Sequence, residues 1–325
     1  MVFAKFFAFR LIKMAVVLLA ILVLNFFLIR AAPGDPASVL AGQAGAADEM
    51  FVQQLRERFG LDRSMIEQLW IYISGVAQFD LGFSYRQQMP VATLIFERLP
   101  ATLLLTGTAF IVSIVAGIAA GGLAAMRVGK WSDTLVTTLG LIGYATPLYW
   151  AALMAVLLFS VHLEWLPGFG FETVGAKYTG LNRVLDVARH LILPALTLGV
   201  FFTAVYARMT RASMLEVAQM DFVKTARAKG LTPRLIQRRH ILRNAILPVV
   251  TLAGLQAGQV VGGAVLIETV FAWPGIGRLM FESLLQRDYN LLLGVFFVSA
   301  AMVLFFNIIT DIIYHIVDPR IQVIS

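Results

Sequence analysis

Residues 99–126 read LPATLLLTGTAFIVSIVAGIAAGGLAAM and contain no charged side chain. A helix needs about 20 consecutive apolar residues to cross the hydrocarbon core of a bilayer, so this stretch predicts a transmembrane helix. Five further stretches qualify or nearly qualify, and their approximate limits are Leu11–Ile29, Thr134–Val161, Leu191–Ala207, Asn244–Ile267 and Leu291–Thr310. The sequence therefore predicts an all-α, polytopic membrane protein with six transmembrane helices.

The composition of the whole chain supports this prediction. Of its 325 residues, 59% are hydrophobic and 14% are charged, and the mean hydropathy is +0.81. Soluble domains carry roughly 45–50% apolar and about 25% charged residues. Charged side chains are thus too few to cover a water-exposed surface of this size, which excludes a soluble enzyme. The chain has no cysteine, so disulfides, thiolate nucleophiles and cysteine-ligated metals are excluded as well.

The first predicted helix follows three basic residues, Lys5, Arg10 and Lys13, as the apolar region of a secretory signal peptide would. In a signal peptide that region has about 7–15 residues and ends at a small-residue cleavage site. Here the apolar run Met14–Ile29 is longer, and Arg30 stands where cleavage would occur. We therefore expect this stretch to be retained as a transmembrane helix.

Small residues recur every three or four positions in two of the predicted helices. They are Gly117, Gly121 and Gly122 in the second helix, and Gly254, Gly258 and Gly262 in the fifth. This spacing lets helix backbones approach closely. We expect these glycines to mark helix–helix contacts.

The distribution of Lys and Arg predicts the orientation, because both are enriched in cytoplasmic loops. Segment 208–243 contains nine basic and two acidic residues, and nine minus two gives +7, the net charge of the whole chain. Segment 31–98 contains five Arg and eight acidic residues, a net charge of −3. We expect both termini in the cytoplasm and segment 31–98 outside. Because the excess charge lies in one predicted cytoplasmic loop, it does not indicate nucleic-acid binding.

The outer segment is predicted to contain a helix. The sequence Ser64-Met-Ile-Glu67 is a capping box, which satisfies free backbone N–H groups at a helix start. The apolar residues that follow at helical spacing are Ile66, Leu69, Trp70, Ile73 and Val76. Such an amphipathic helix is compatible with a position on the membrane surface and with a position that caps the helix bundle.

Segment 208–243 contains the start and stop signals of two helices joined by a corner. Leu215–Lys229 predicts a helix, and Gly230 stands where a left-handed residue commonly ends one. Thr232 and Pro233 then supply an N-cap and a first helical residue. Positive-inside bias alone explains the charge of this segment, but it does not explain the helix–glycine–helix order. That order favours a docking element for a cytoplasmic partner.

Motifs for chemistry are absent from the sequence. A Walker A loop needs glycines followed by Lys and Ser or Thr to hold phosphates, and Gly129-Lys130 has Ala124 and Trp131 at the other required positions. Neither His-Glu-x-x-His nor Gly-x-Ser-x-Gly occurs. We predict that the chain is not an enzyme and has no energy source of its own.

Few polar side chains lie within or beside the predicted transmembrane helices. Tyr206, Gln256, Gln259 and Glu268 are the candidates to line a translocation path, although hydrogen bonds between helices explain the first three equally well. Intramembrane acids would indicate an ion or proton relay, and only Glu268 and Asp311 come close, both near helix ends. The alternative function, a stand-alone secondary transporter or channel driven by an ion gradient, therefore lacks the acids and the internal repeat that it predicts.

Five motifs carry a resemblance to a known family. They are Ala32-Pro-Gly-Asp-Pro36, Asp221-Phe-Val-Lys-Thr-Ala-Arg-Ala-Lys-Gly230, His240-Ile-Leu-Arg-Asn-Ala-Ile-Leu-Pro248, Glu268-Thr-Val-Phe-Ala-Trp-Pro-Gly-Ile-Gly277 and Asp318-Pro-Arg320. In their order and spacing they resemble ABC importer permeases of the dipeptide, oligopeptide and nickel class. The resemblance covers nearly the whole chain and is to the B-type subunit, which has a long outer loop after the first helix. It implies the type I ABC importer permease architecture.

In that family a short cytoplasmic helix docks into a cleft on an ATPase subunit. Carried over to this sequence, the resemblance implies coupling residues at Asp221, Lys224, Thr225, Ala226, Arg227, Ala228, Gly230 and Leu231. The chain departs from the general permease pattern in two ways. Lys224-Thr225-Ala226 replaces Glu-Ala-Ala, and the interval from Gly230 to Pro248 is five residues longer. Both departures are familiar in the peptide and nickel branch.

The resemblance also implies partners and a division of the chain. The partners are a homologous second permease subunit, two cytoplasmic ATPase subunits that bind ATP and Mg, and an extracytoplasmic solute-binding protein. No cofactor or metal is expected in this chain, and its location is the bacterial inner membrane. The division is 1–30 for the N-terminus and first helix, 31–98 for the outer loop, 99–317 for a five-helix core with coupling loop 208–243, and 318–325 for a cytoplasmic tail. Dipeptides, oligopeptides, nickel chelates, glutathione and opines all remain candidate substrates.

Overall fold

The computed structural model describes residues 2–31, 49–58 and 60–317. Within these ranges the chain is almost entirely helical, and the two regular strands described are β1, Phe83–Ser84, and β2, Met89–Pro90. They pair antiparallel, with Phe83 opposite Pro90. The motifs at 32–36 and 318–320 lie outside the described residues.

The described helices follow in chain order. They are α1 Val2–Ala31, α2 Glu49–Arg58, α3 Met65–Ala77, α4 Val91–Met126, α5 Trp131–Ala145, α6 Leu148–Ala155, α7 Gly180–Val217, α8 Asp221–Ala228, α9 Pro233–Leu235, α10 Arg243–Val270, α11 Ile276–Gln286 and α12 Tyr289–Val317. Two π-helical stretches extend α6 and α9, at Val156–His162 and Ile236–Leu242.

Four described helices are long and apolar enough to cross a membrane. The stretches that qualify are Phe9–Leu28, Val91–Met126, Gly180–Val217 and Tyr289–Thr310. The predicted fifth helix, Asn244–Ile267, lies inside α10, where part of the side chains are not described. Within the described ranges the number of spans is thus four, or five if the pair described next is one span.

The predicted span Thr134–Val161, with Pro147 near its middle, is sharply bent rather than straight. The chain bends by 105° between α5 and the helical stretch Leu148–His162. The bend falls at Thr146-Pro147, where Thr146 is extended at ψ 126° and its N–H still bonds to Ile142 O. A proline disfavours helical backbone at the preceding residue and has no N–H to continue the ladder. The helix therefore ends at Ala145.

The chain forms two compact units, which are described separately. The first unit contains Met1–Ala101 and Gly275–Leu304, and the second contains Thr102–Pro274 and Phe305–Ser325.

The first unit has a core that draws on several helices. Its buried residues are Leu22, Val76, Leu81, Val91, Leu94, Ile95, Ile276, Leu279, Leu291 and Val295. Gly294 permits close packing of α12 on α4, because a Cβ there would lie 2.4 Å from Val91 Cγ1. The β1–β2 hairpin is attached to the start of α12 by a hydrogen bond from Ser84 Oγ to the Asp288 carboxylate. Burial raises the pKa of this carboxyl above its usual value.

The predicted helix of the outer segment is confirmed as α3. Ser64 Oγ accepts a hydrogen bond from Glu67 N at 3.3 Å and thereby caps the helix. Tyr72 points inward and stacks on Phe26 of α1 at 6.1 Å between ring centroids. Trp70 remains 70% exposed on the other side. The helix therefore packs on α1 with one face and leaves an aromatic residue uncovered on the other.

In the second unit, glycines permit two close helix contacts, between α4 and α7 and between α10 and α12. A Cβ at Gly117 would lie 2.5 Å from Tyr206 Cβ, and one at Gly121 would lie 2.3 Å from Ala207 O. A Cβ at Gly254 of α10 would lie 2.2 Å from Thr310 Cγ2 of α12. Helix contacts are thereby confirmed for three of the predicted glycines.

The loop between α6 and α7 is attached to the first turns of α7. Glu172 pairs with Arg183 at 2.8 Å, and Asp186 accepts 2.7 Å hydrogen bonds from both the N–H and the hydroxyl of Thr173. The first turns of α7 are therefore held by side chains of the loop that precedes the helix.

Candidate ATPase-coupling site

The chain turns between α7 and α8, so the predicted single helix Leu215–Lys229 is wrong. Helix α7 ends at Val217, and the turn is closed by a hydrogen bond from Met220 N to Val217 O at 3.1 Å. In a straight helix Val217 and Ala226 would point in opposite directions, because each residue advances by about 100°. The turn allows both side chains to enter one apolar core.

This apolar core lies beneath α8 and is called the coupling core below. Its buried members are Met214, Val217, Val223, Ala226, Ile236, Ile241 and Ala245. Val223 is fully buried and Ala226 is 4% exposed, so one side of the short helix faces its own chain. The spacing of three between them is that of one helix face. The coupling core thus fixes α8 to the end of α7 and to the segment before α10.

Gly230 forms the predicted corner after α8. Its φ is +75°, and an added Cβ would have no atom within 4 Å. The requirement for glycine is therefore conformational, because other residues are strained at positive φ. Leu231 N bonds back to Ala226 O at 3.4 Å, and Pro233 then begins α9. The predicted order of helix, glycine corner and helix is confirmed.

The outward side of α8 carries most of the predicted coupling residues. Lys224 Nζ bonds to Asp221 Oδ1 at 2.8 Å, and both side chains are largely exposed. The other exposed members are Thr225, Arg227, Ala228 and Gly230. Ala226 and Leu231 are instead turned toward the coupling core, buried and partly buried respectively. Six of the eight predicted residues therefore lie on the exposed surface, and the other two pack on the coupling core beneath it.

Two apolar side chains that the sequence analysis missed lie on this outward side. Phe222 is 41% exposed, and Met220, the residue before the helix, is 42% exposed. The sequence contains a signal for this placement. At helical spacing Val223 and Ala226 share one apolar face of α8, and Phe222 lies outside that face. An aromatic residue outside the buried face of a short amphipathic helix is a candidate contact residue.

An ion pair near the coupling core was also missed. Asp133, at the start of α5, receives two hydrogen bonds from Arg211 of α7, at 2.6 and 2.9 Å. The two residues are separated by 78 positions, and neither stands in a pattern that the sequence makes visible.

The candidate path residues lie mostly in the interior of the second unit. Tyr206 is fully buried, and its hydroxyl has no hydrogen-bond partner among the described residues, as is the case for Oε1 of Gln256. Glu268 is fully buried and accepts a 2.6 Å hydrogen bond from Thr102 Oγ1. The side chain of Gln259 lies outside the described part of the chain.

Comparison with protein families gives two matches that cover most of the chain. Residues 113–323 match the model of the binding-protein-dependent transport system inner membrane component, and residues 3–106 match its N-terminal counterpart. The chain belongs to this family. The predicted recognition as an ABC importer permease is confirmed, and the chain is referred to below as the permease.

Relatives and solved structures agree with this assignment. The dipeptide transport system permease protein DppB of Escherichia coli (strain K12) is 40% identical over 321 residues, 94% of each chain. The glutathione transport system permease protein GsiC of the same strain is 38% identical over 313 residues, 96% of this chain and 97% of the relative. An inward-facing structure of the MetNI methionine ABC transporter gives a TM-score of 0.55 at 19% identity, over 69% of this chain and 96% of that chain. At this identity the last match concerns the fold alone.

Proposed function

We propose that the permease is the membrane-spanning subunit that couples ATP hydrolysis on separate chains to the import of short peptides or similar small solutes. Its proposed partners are a homologous second permease, two cytoplasmic ATPase subunits and an extracytoplasmic solute-binding protein. ATP and Mg would be bound by the ATPase subunits. The observation that carries the proposal is α8, a short helix anchored on its own chain by one side and exposed on the other.

The exposed side of α8 has the chemistry of a protein contact. Phe222 offers an aromatic anchor for an apolar recess on the ATPase, and aromatic residues often dominate binding energies at interfaces. Asp221, Lys224 and Thr225 surround it with charged and polar groups. Ala228, which is small, permits close approach of the partner surface. This arrangement of an anchor within a polar rim is typical of protein interfaces.

The coupling core explains how a movement of the ATPase would reach the membrane. Val223 and Ala226 of α8 pack with Met214 and Val217 of α7. Packed cores are dense and transmit displacement, so a movement of α8 would carry the end of α7 with it. In the proposed cycle, closure of the ATPase subunits draws the coupling segments together and reorients a central cavity from inward-facing to outward-facing.

The proposed topology has six spans, with both termini in the cytoplasm and segment 31–98 outside the cell membrane. The charge of segment 208–243 supports it, because α8 then lies on the side where ATP is available. We keep the division of the chain into 1–30, 31–98, 99–317 and 318–325 as part of this proposal. Tyr206, Gln256, Gln259 and Glu268 remain proposed path residues.

The names of the two relatives support peptide-like substrates, because one is a dipeptide and the other a glutathione permease. Both kinds of molecule are small, polar and contain peptide linkages. Choice among dipeptides, longer peptides, glutathione, nickel chelates and opines is assigned to the solute-binding protein, which presents the cargo.

The test uses the complete transporter in proteoliposomes. We expect uptake of a radiolabelled dipeptide to require ATP on the side of segment 208–243, and Phe222→Ala to reduce both uptake and the amount of co-purifying ATPase. The matched control is Phe169→Ala, which removes an aromatic ring that is 59% exposed on the loop before α7. Uptake that proceeds in this permease alone under an ion gradient, without ATPase, would contradict the proposal.

A further inference from the structure

The ion pair between Asp133 and Arg211 has the geometry of a specific connection. Arg211 Nε donates to Asp133 Oδ1 at 2.6 Å, and Nη2 donates to Oδ2 at 2.9 Å. Gly129 N also donates to Oδ2, at 3.1 Å, so the same carboxylate closes the loop before α5. Two parallel hydrogen bonds between guanidinium and carboxylate fix orientation as well as distance. This bidentate contact is called the fork below.

The fork lies beside the coupling core. Arg211 is on α7, three residues before Met214 and six before Val217. Both of those side chains are buried with Val223 and Ala226 of α8. A displacement of α8 is therefore passed to the end of α7, and Arg211 lies within two turns of that end.

Beyond the fork, α5 runs antiparallel along α7. A Cβ at Gly140 would contact Ala204 Cβ at 3.8 Å, and one at Gly143 would lie 3.1 Å from Val200 Cγ1. Tyr144 stacks on Phe201 with 5.0 Å between ring centroids. These contacts end next to the 105° bend at Thr146-Pro147. Helix α5 thus extends from the fork to the bend.

Asp133 is the only buried residue of α5, all of whose residues are described. Its side chain is 8% exposed, and that of Arg211 is 31% exposed. The first turn of α5 is therefore attached to α7 through a charge pair, whereas most of the other side chains of α5 are exposed in this chain.

We propose that the fork transmits movement of the coupling segment from α7 to α5, and so to the bend. This inference rests on the proposed function and assigns Asp133 and Arg211 as positioning residues within it. Without the fork, α7 moves with the ATPase while the inner end of α5 does not follow. ATP is then hydrolysed without a matching reorientation of the bend.

A purely structural ion pair predicts a different result. Its loss would lower the amount of assembled transporter, and the solute imported per ATP would stay the same in the transporter that remains. The ratio of solute imported to ATP hydrolysed, per assembled complex, therefore separates the two roles.

The experiment measures this ratio in proteoliposomes that contain the complete transporter, with a radiolabelled dipeptide. The variants are Asp133→Asn, Arg211→Gln, their double variant, and Arg211→Lys, which keeps the charge but not the bidentate geometry. The control is Arg183→Gln, which removes the 2.8 Å pair with Glu172 at the end of α7 that is farther from the coupling core.

Coupling between distant sites commonly corresponds to a factor of about 5 to 150, so we expect each single neutral variant to lower the ratio about ten-fold. The double variant should be no worse than the more impaired single variant, because both break the same contact. Arg211→Lys should assemble fully and show an intermediate ratio, and Arg183→Gln should leave the ratio unchanged.

An unchanged ratio in fully assembled Arg211→Lys and in either neutral variant would overturn the inference, and so would additive losses in the double variant. If the neutral variants do not assemble, the ratio for Arg211→Lys decides alone. Failure of the proposed function would be distinct, because the unsubstituted transporter would then show no ATP-dependent uptake.

Discussion

Helices α3 and α8 are both short and amphipathic, yet they are stabilised in different ways. The start of α3 is capped by the side chain of Ser64. Helix α8 follows Met220, which makes no capping hydrogen bond through its side chain, and has only eight residues. Isolated helices of that length are unstable in water, so α8 depends on the coupling core. A helix that depends on tertiary packing moves with the elements that it packs on, which the proposed coupling role of α8 requires.

The largest effect should come from loss of the coupling core. Val223→Asp places a carboxylate at a fully buried position, and burial of an unpaired charge costs several kcal/mol. We expect α8 to detach, ATPase to be lost on purification and uptake to fall to background. Membrane insertion, measured by protease protection of the outer segment, should be normal. Val223→Ile, which keeps the apolar character, is the control.

A smaller effect is expected at the glycine corner. Gly230→Val places a β-branched residue at φ +75°, and left-handed backbone costs about 1–2 kcal/mol for a non-glycine residue. We expect uptake to fall about ten-fold, because about 1.4 kcal/mol corresponds to a factor of ten in an equilibrium. Gly230→Asn is the control, because asparagine tolerates this conformation. Equal uptake by the two variants would show that the corner does not need a left-handed residue.

For α3 the expected effect is on stability rather than transport. Ser64→Ala removes the cap and should cost about 1 kcal/mol. We expect faster proteolysis of the outer segment and dipeptide uptake close to that of the unchanged permease. Ser64→Asp restores a capping group and should restore resistance to the protease. A loss of uptake as large as that of Gly230→Val would contradict the distinction between the two helices.

The smallest effect should follow loss of the ion pair on the surface of α8. Lys224→Gln removes a bond between two largely exposed side chains, and such pairs contribute little. We expect uptake within about two-fold of the unchanged permease. A much larger loss, without loss of helix α8, would place Lys224 itself in the contact with the ATPase.

The sequence was sufficient for features that are encoded locally. Four of the six apolar runs coincide with helices that are long and apolar enough to span a membrane, and Gly230 with Pro233 predicted the corner. The capping box at Ser64 predicted the start of α3. Each of these depends on a few neighbouring residues, and so it can be read from one chain.

Features that depend on distant contacts were not predictable in this way. The bend at Pro147 was missed because proline is often tolerated within transmembrane helices when neighbours satisfy the backbone. The turn after Val217 was missed because residues 215–229 carry no helix-breaking residue before Gly230. The Asp133–Arg211 pair joins residues that are 78 positions apart, and single-sequence patterns do not reveal such pairs.

The length of α7 has a consequence for communication across the membrane. Its 38 residues correspond to about 57 Å at 1.5 Å per residue, almost twice the roughly 30 Å of the hydrocarbon core. One helix, with Pro194 in its interior, therefore joins the loop anchored by Asp186 to the core beneath α8. In the proposed transporter the solute arrives at one membrane surface and ATP is bound at the other. A movement that starts at either end of α7 would then pass along one helix, without separate switches between the two ends.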